Sequence, residues 1–330
     1  MRPNTLFLLT VMLVASHFAF SQTEISDPGA KQVCASVQDV EIPTADRPSA
    51  AEEKTLTNCS SVDAYFGLGQ PADPVKARQC AYAQIDRGDK TALGGRAILM
   101  MVYANGMGAP RNFDVALKFA CTIGDAPGDA AGRVYQIVRY KKANWAGSNF
   151  SVCDHSSGRE MYEQCAILQE RFDKPERDQK LQALAAAWNA KEKKAFRSLL
   201  EEADRFFKVQ ANNGVNLEAS FEIQEEIFLR NNMITSLEQF ERGELPKFSA
   251  DDFHLAETAE NAAYQRTQNG DVSHWGTITR ESVKHSEEEW HRYAGAWISF
   301  GKEKYPGVTE QSWKTWLDQE RVVMFQRFLR

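Results

Sequence analysis

Apolar positions recur at helical spacing through most of the second half of the chain. Over 178–188, Leu181, Leu184, Ala185 and Trp188 fall on one face. Asn189 stands at an N-cap position, and Phe196, Leu199, Leu200, Ala203, Phe206 and Phe207 stripe the helix it would open. Asn213-Gly214 breaks that pattern. The next helix is predicted over 217–242, with Phe221, Ile227, Ile234, Leu237 and Phe240 inward. Ser249 is positioned to cap a helix over 251–268, whose acidic first turn suits the helix dipole. Thr279 and Thr309 are the expected caps of the last two helices. There, Trp290, Tyr293 and Trp297 fall at i, i+3 and i+7, and Trp313, Trp316, Leu317, Met324 and Phe328 stripe the final helix. That spacing predicts buried helical faces rather than a carbohydrate-binding surface.

The first half reads differently. Residues 22–60 are rich in Pro, Ala, Ser and acidic groups with little periodicity, which predicts an extended lead-in. An internal repeat follows. Gly67-Leu68-Gly69-Gln70-Pro71 recurs as Gly106-Met107-Gly108-Ala109-Pro110, and Ala77 and Ala81 recur as Ala116 and Ala120, all at an offset of 39 residues. That is a helix-pair period. The glycines belong at the end of each first helix, where a positive φ is favoured, and the alanines allow close helix packing. Residues 143–157, with Asn144, Gly147, Ser148 and Asn149, predict a boundary loop. With no β-rich stretch, the expected fold is all-α: a short helix-pair repeat segment over 22–150, then a bundle-like domain over 151–330.

At the N-terminus, Arg2 precedes an apolar stretch from Leu6 to Phe20, and Ala19-Phe20-Ser21 offers small residues at −3 and −1. This predicts a signal peptide over 1–21 with cleavage between Ser21 and Gln22, hence a periplasmic or secreted protein with no membrane anchor after signal removal. The run is shorter than the roughly 20 apolar residues of a spanning helix. The six cysteines, Cys34, Cys59, Cys80, Cys121, Cys153 and Cys165, are even in number, which in an exported chain predicts disulfides. Sequence does not choose among the pairings; the sequential set, 34–59, 80–121 and 153–165, is the least tangled. Cys153 beside Asp154 and His155 could be a nucleophile, but no odd thiol is left over, and a disulfide is the expectation.

Charge narrows the function classes. The chain has 39 Lys and Arg against 45 Asp and Glu, which argues against nucleic-acid binding. Residues 201–260 concentrate the imbalance, with 5 basic and 14 acidic residues. A solvated helical face and a surface that steers a cationic partner are both compatible with that run. No spacing is C-x-x-C, no glycine loop is followed by the lysine that cradles phosphate, and neither G-x-S-x-G nor H-E-x-x-H occurs. His285 and Glu289 lie one turn apart, but His291 is about 240° round the helix from His285, so solvated polar residues are expected there. Neither metal nor cofactor is expected.

Two family resemblances add to this reading. Leu99, Tyr103, Gly106, Gly108, Arg111, Ala116 and Gly124 resemble the Sel-like repeat, a relative of the tetratricopeptide repeat, with Met100 where that pattern has Gly. The resemblance covers about residues 60–140 and implies a protein-contact scaffold. The stretch from 150 to 330 resembles the lysozyme-inhibitor LprI-type domain family. It is carried by Cys153-Asp154, Ser157-Gly158, Cys165, Trp188, Phe196, Leu199, Phe240-Glu241, Gly243, Leu245-Pro246, Asn261 and Tyr264. Trp290, Tyr293, Trp297, Phe300, Tyr305-Pro306, Trp313, Trp316-Leu317 and Arg321 complete the match. Glu260 stands where that family has Leu, and Ala294-Gly295 where it favours Arg-Asp. The resemblance implies a non-enzymatic, exported protein-binding module that inhibits lysozyme; the acidic run of 201–260 then offers Glu222, Glu225 and Glu226 as the residues expected to face a cationic partner. The competing expectations are a cell-envelope scaffold built on the repeats and an envelope hydrolase.

Overall fold

The computed structural model describes residues 25–124, 126–214 and 222–326; the expected signal segment, Leu217, Phe221 and Phe328 lie outside them. Among the described residues there are thirteen α-helices and no strand, so the chain is all-α. In chain order they are α1 (Pro28–Ser36), α2 (Ala50–Glu53), α3 (Ser61–Phe66), α4 (Pro74–Asp86), α5 (Gly95–Asn105), α6 (Phe113–Ala120) and α7 (Pro127–Lys142). Then follow α8 (Arg159–Ala185), α9 (Ala190–Gly214), α10 (Glu222–Glu241), α11 (Ala250–Asn269), α12 (Arg280–Lys304) and α13 (Glu310–Phe325).

The repeat is built twice with the same local chemistry. α3 and α5 both end on a glycine in the left-handed region, Gly67 at φ 72° and Gly106 at φ 66°, and Gly69 and Gly108 repeat it at 73° and 89°. The Leu68 amide donates to the Asp63 carbonyl (3.0 Å) as Met107 does to Val102 (3.1 Å). The Asp73 amide donates to Ala64 (2.8 Å) as Asn112 does to Tyr103 (3.0 Å). Asp73 and Asn112 then cap α4 and α6 through their side-chain oxygens. Every partner in the second hairpin lies 39 residues beyond its counterpart. α5 is the centre of this half, with every residue but Arg96 buried.

The lead-in is more ordered than its sequence predicts, since α1, a 3-10 turn at Thr44–Asp46 and α2 lie within it. It is drawn across the repeats. The Lys118 ammonium of α6 donates to the carbonyls of Gln38 (2.8 Å) and Val40 (2.7 Å), and Tyr103 donates to buried Asp46 (3.1 Å). This path corrects the sequential disulfide set. The bonds are Cys34–Cys121, Cys59–Cys80 and Cys153–Cys165, and of the sequential pairs only the last is present. Cys34 rides on α1 over the end of the second hairpin, whereas Cys59 precedes α3, which packs on the helix carrying Cys80.

Two large apolar cores result. The first gathers residues from Ile25 to Leu168; Phe150 and Val152, in the expected boundary loop, belong to it. The second gathers Trp188, Phe196, Leu199, Phe206, Phe207, Leu237, Phe240, Trp290, Trp297, Phe300 and Trp313. α8 spans both. Met161 and Leu168 enter the first core, and Leu181, Leu184 and Ala185 pack on the second. The helix expected from 178 therefore begins at Arg159 and runs through Pro175. Asn189, Ser249, Thr279 and Thr309 all cap as predicted. Trp290, Trp297 and Trp313 are buried, and Trp316 is half-buried against the same core. No helix of the described residues is long and apolar enough to cross a membrane.

Candidate functional site

The acidic run of 201–260 resolves into paired and unpaired groups. Glu202 pairs with Arg205 (3.2 Å), Asp204 with Lys208 (2.8 Å), Glu241 with Lys304 (3.3 Å) and Glu244 with Arg242 (2.9 Å). The expected partner-facing residues are not equally open. Glu225 is only 8% exposed, Glu226 is bound to Arg230 (2.6 Å), which also holds Asp204, and Glu222 is half-exposed. Exposed carboxylate is instead concentrated on α11. That helix carries exposed Asp251, Asp252 and Glu257 and half-buried Glu260, with no Lys or Arg before Arg266. Asp252 is used locally, accepting from the Ser249 amide at 2.8 Å to close the N-terminal box. Asp251, Glu257 and Glu260 have no ion-pair partner among the described residues.

Beneath Glu260 lies a buried cation. Arg321 of α13 is 1% exposed, at a position four residues after Leu317 and four before Phe325, both in apolar contact. Its Nε donates to Glu287 of α12 at 2.8 Å, and its terminal nitrogens donate to Gln210 of α9 (3.0 Å) and Ser286 of α12 (3.4 Å). The guanidinium face lies over the rings of Phe325 (4.4 Å), Trp290 (5.3 Å) and Phe206 (5.6 Å). Removing one member of such a buried pair leaves an uncompensated charge, a loss of about 3–5 kcal/mol. Glu287 also receives His291 (3.4 Å), whose ring is exposed.

Carboxylates outnumber cations around this group. Burial, reinforced by the charge of Glu287, pushes Glu260 up to about 7. Asp318 of α13 is raised to about 6 by burial and then by Glu257, against the opposing pull of Lys314 and His291. The sequence reading named Arg321 only within the family resemblance. The available signal was an arginine interrupting an apolar stripe at i+4 spacing.

The remaining candidates sit elsewhere. Cys153 is bonded to Cys165 and is no nucleophile. His285 faces Glu288 (3.8 Å) and Glu289 faces Arg292 (2.6 Å), so His285 and Glu289 do not converge. No group of three or more His, Cys, Asp or Glu among the described residues is placed to hold a metal ion. A shallow groove of about 650 Å³ between α9 and α12 is lined by Lys191, Lys194, Ser198, Gly295 and Ser299, all open to solvent. No protein-family model, curated protein or solved structure matches the chain.

Proposed function

We propose that this chain is an exported, non-enzymatic module that binds a basic protein, with a lysozyme as the partner named by the C-terminal resemblance. The observation that carries the reading is the pair of exposed carboxylates on α11, Asp251 and Glu257, which have no cation partner, whereas Glu202, Asp204, Glu226 and Glu241 of α9 and α10 are ion-paired within the fold. A basic surface would relieve that imbalance. Complementary charge of this kind raises association rate and partner discrimination more than raw affinity. Export is supported by three disulfides, which form and persist in oxidising compartments. The apolar N-terminal run supplies the signal with cleavage after Ser21, in a periplasmic or secreted setting.

The test is the loss of turbidity of cell-wall suspensions under lysozyme, with and without the purified mature protein. Inhibition is expected, weakening with added salt as screening shortens the reach of surface charge. The double variant Asp251→Asn, Glu257→Gln should slow association more than the triple variant Glu222→Gln, Glu225→Gln, Glu226→Gln. No inhibition at large molar excess for several lysozyme types would remove the inhibitor reading. The envelope-scaffold reading, supported by the duplicated helix hairpins, would then stand in front.

A further inference from the structure

The groove between α9 and α12 is lined by one residue pattern used twice. From α9 come Lys191, Ala195, Ser198 and Glu202. From α12 come Arg292, Ala296, Ser299 and Glu303, each 101 positions later in the chain. Phe196 and Leu199 enter the aromatic core at the same offset from Trp297 and Phe300, so the two helices turn matching faces to the groove. The helices run antiparallel, since the Phe196 ring meets Phe300 at 5.5 Å and the Phe206 ring meets Trp290 at 5.2 Å.

An antiparallel pairing of one pattern with itself alternates the charges at its corners. Lys191 stands at the end that holds Glu303, and Arg292 at the end that holds Glu202. Between them the floor is alanine, serine and Gly295, side chains too small to fill a space of about 650 Å³. A Cβ on Gly295 would meet nothing within 4 Å. Lys191, Glu303 and the neighbouring Lys194 have no ion-pair partner among the described residues. Glu202 and Arg292 pair only along their own helices, with Arg205 (3.2 Å) and Glu289 (2.6 Å). Both arginines are open to solvent, where such pairs contribute little.

A surface with alternating corners is complementary to itself. A two-fold axis in the plane of contact, along the helices or across them, lays every basic corner on an acidic one. A partner of a single charge sign would instead be attracted at two corners and repelled at two. We propose that this groove is a self-association surface, covered by the same face of a second copy of the chain. The small floor lets the facing helices approach closely. The patterned stretch, residues 191–202 and 292–303, is about 18 Å long and about 20 Å wide. That is roughly 360 Å² per copy, less than half of the ~800 Å² per partner of a standard interface. The dimer is accordingly weak and reversible. The basic-partner reading rests on α11, so either can fail without the other.

The experiment is sedimentation equilibrium of the purified mature protein from about 10 μM to about 1 mM. A monomer–dimer equilibrium is expected, weakening with added salt. Two charge-swapped chains isolate the face. Lys191→Glu, Lys194→Glu, Arg292→Glu makes all four corners acidic, and Glu202→Lys, Glu303→Lys makes them basic. Each alone should dimerise at least about tenfold more weakly than wild type, and their equimolar mixture should return to within about threefold of it. Gly295→Leu has room in the monomer but fills the groove, and it should abolish association at unchanged helicity in circular dichroism. A wild type monomeric at the highest concentration, a dimer that both charge-swapped chains retain, a mixture that does not recover, or a Gly295→Leu chain that still dimerises would each overturn the proposal.

Discussion

Gly69 and Gly108 occupy the same place in the two repeat loops, and they should respond very differently to alanine. Both have positive φ, 73° and 89°, so each substitution strains an L residue by about 1 kcal/mol. Their surroundings differ. A Cβ on Gly69 meets nothing within 4 Å, whereas one on Gly108 would lie 2.3 Å from the Pro74 carbonyl oxygen and 2.6 Å from its carbon. That carbonyl is backbone at the first turn of α4 and cannot swing aside as a side-chain tip could. Forced overpacking of this kind costs roughly 1–3 kcal/mol. Gly69→Ala should therefore destabilise the first core by about 1 kcal/mol and Gly108→Ala by about 3 kcal/mol. Hydrogen exchange of the buried α5 amides reads that core directly. In the regime where exchange reports the opening equilibrium, Gly69→Ala should speed it about 5-fold and Gly108→Ala about 150-fold. Equal acceleration by the two variants would show that the second loop does not rest on the first hairpin, and the stacked-repeat account would fail.

A second glycine pair, on α12, should split in sign. Gly295→Ala meets nothing within 4 Å and should stabilise by about 0.5–1 kcal/mol through helix propensity. Gly301→Ala would put a Cβ 2.4 Å from the Trp313 ring and should destabilise by about 2 kcal/mol in urea unfolding followed by circular dichroism. Peptide mapping without reductant should recover Cys34 with Cys121, Cys59 with Cys80 and Cys153 with Cys165. Because 87 residues separate Cys34 from Cys121, losing that bond should cost most, about 4–5 kcal/mol on a chain-entropy basis. A 34–59 or 80–121 peptide in the native protein would contradict the fold of the lead-in.

Much of the helical order was legible because it is written in local chemistry. The glycine doublets 39 residues apart fixed both repeat loops, and the Asn189, Ser249, Thr279 and Thr309 caps marked the helix starts. The first half of α8 was not legible. Between Arg159 and Arg177 only Met161, Ala166, Leu168 and Arg177 are buried, so one edge touches the core and the apolar stripe is too sparse to announce a helix. Pro175 then reads as a start rather than an interior residue. An interior proline costs a helix about 3 kcal/mol. Here packing on the first core at one end of α8 and on the second at the other offsets that loss. The disulfide pairing was hidden for a related reason, since it records how the lead-in crosses the repeats, and no local pattern encodes a crossing.

The acidic surface shows where composition stops and geometry begins. Fourteen acids between 201 and 260 state an excess of charge, but not which of them meets solvent. On α9 and α10, cations at helical spacing absorb several of them: Lys208 takes Asp204 at i−4, and Arg230 takes Glu226 at i−4. On α11 no Lys or Arg precedes Arg266, so the four carboxylates before it have no such neighbour on their own helix. Burial then divides those four. Asp251 and Glu257 face water, Asp252 closes the helix cap, and Glu260 is half-buried. Exposure and burial thus give carboxylates on one helix different work: Asp251 and Glu257 are open to a basic surface, while burial raises the pKa of Glu260 above the ordinary carboxylate range.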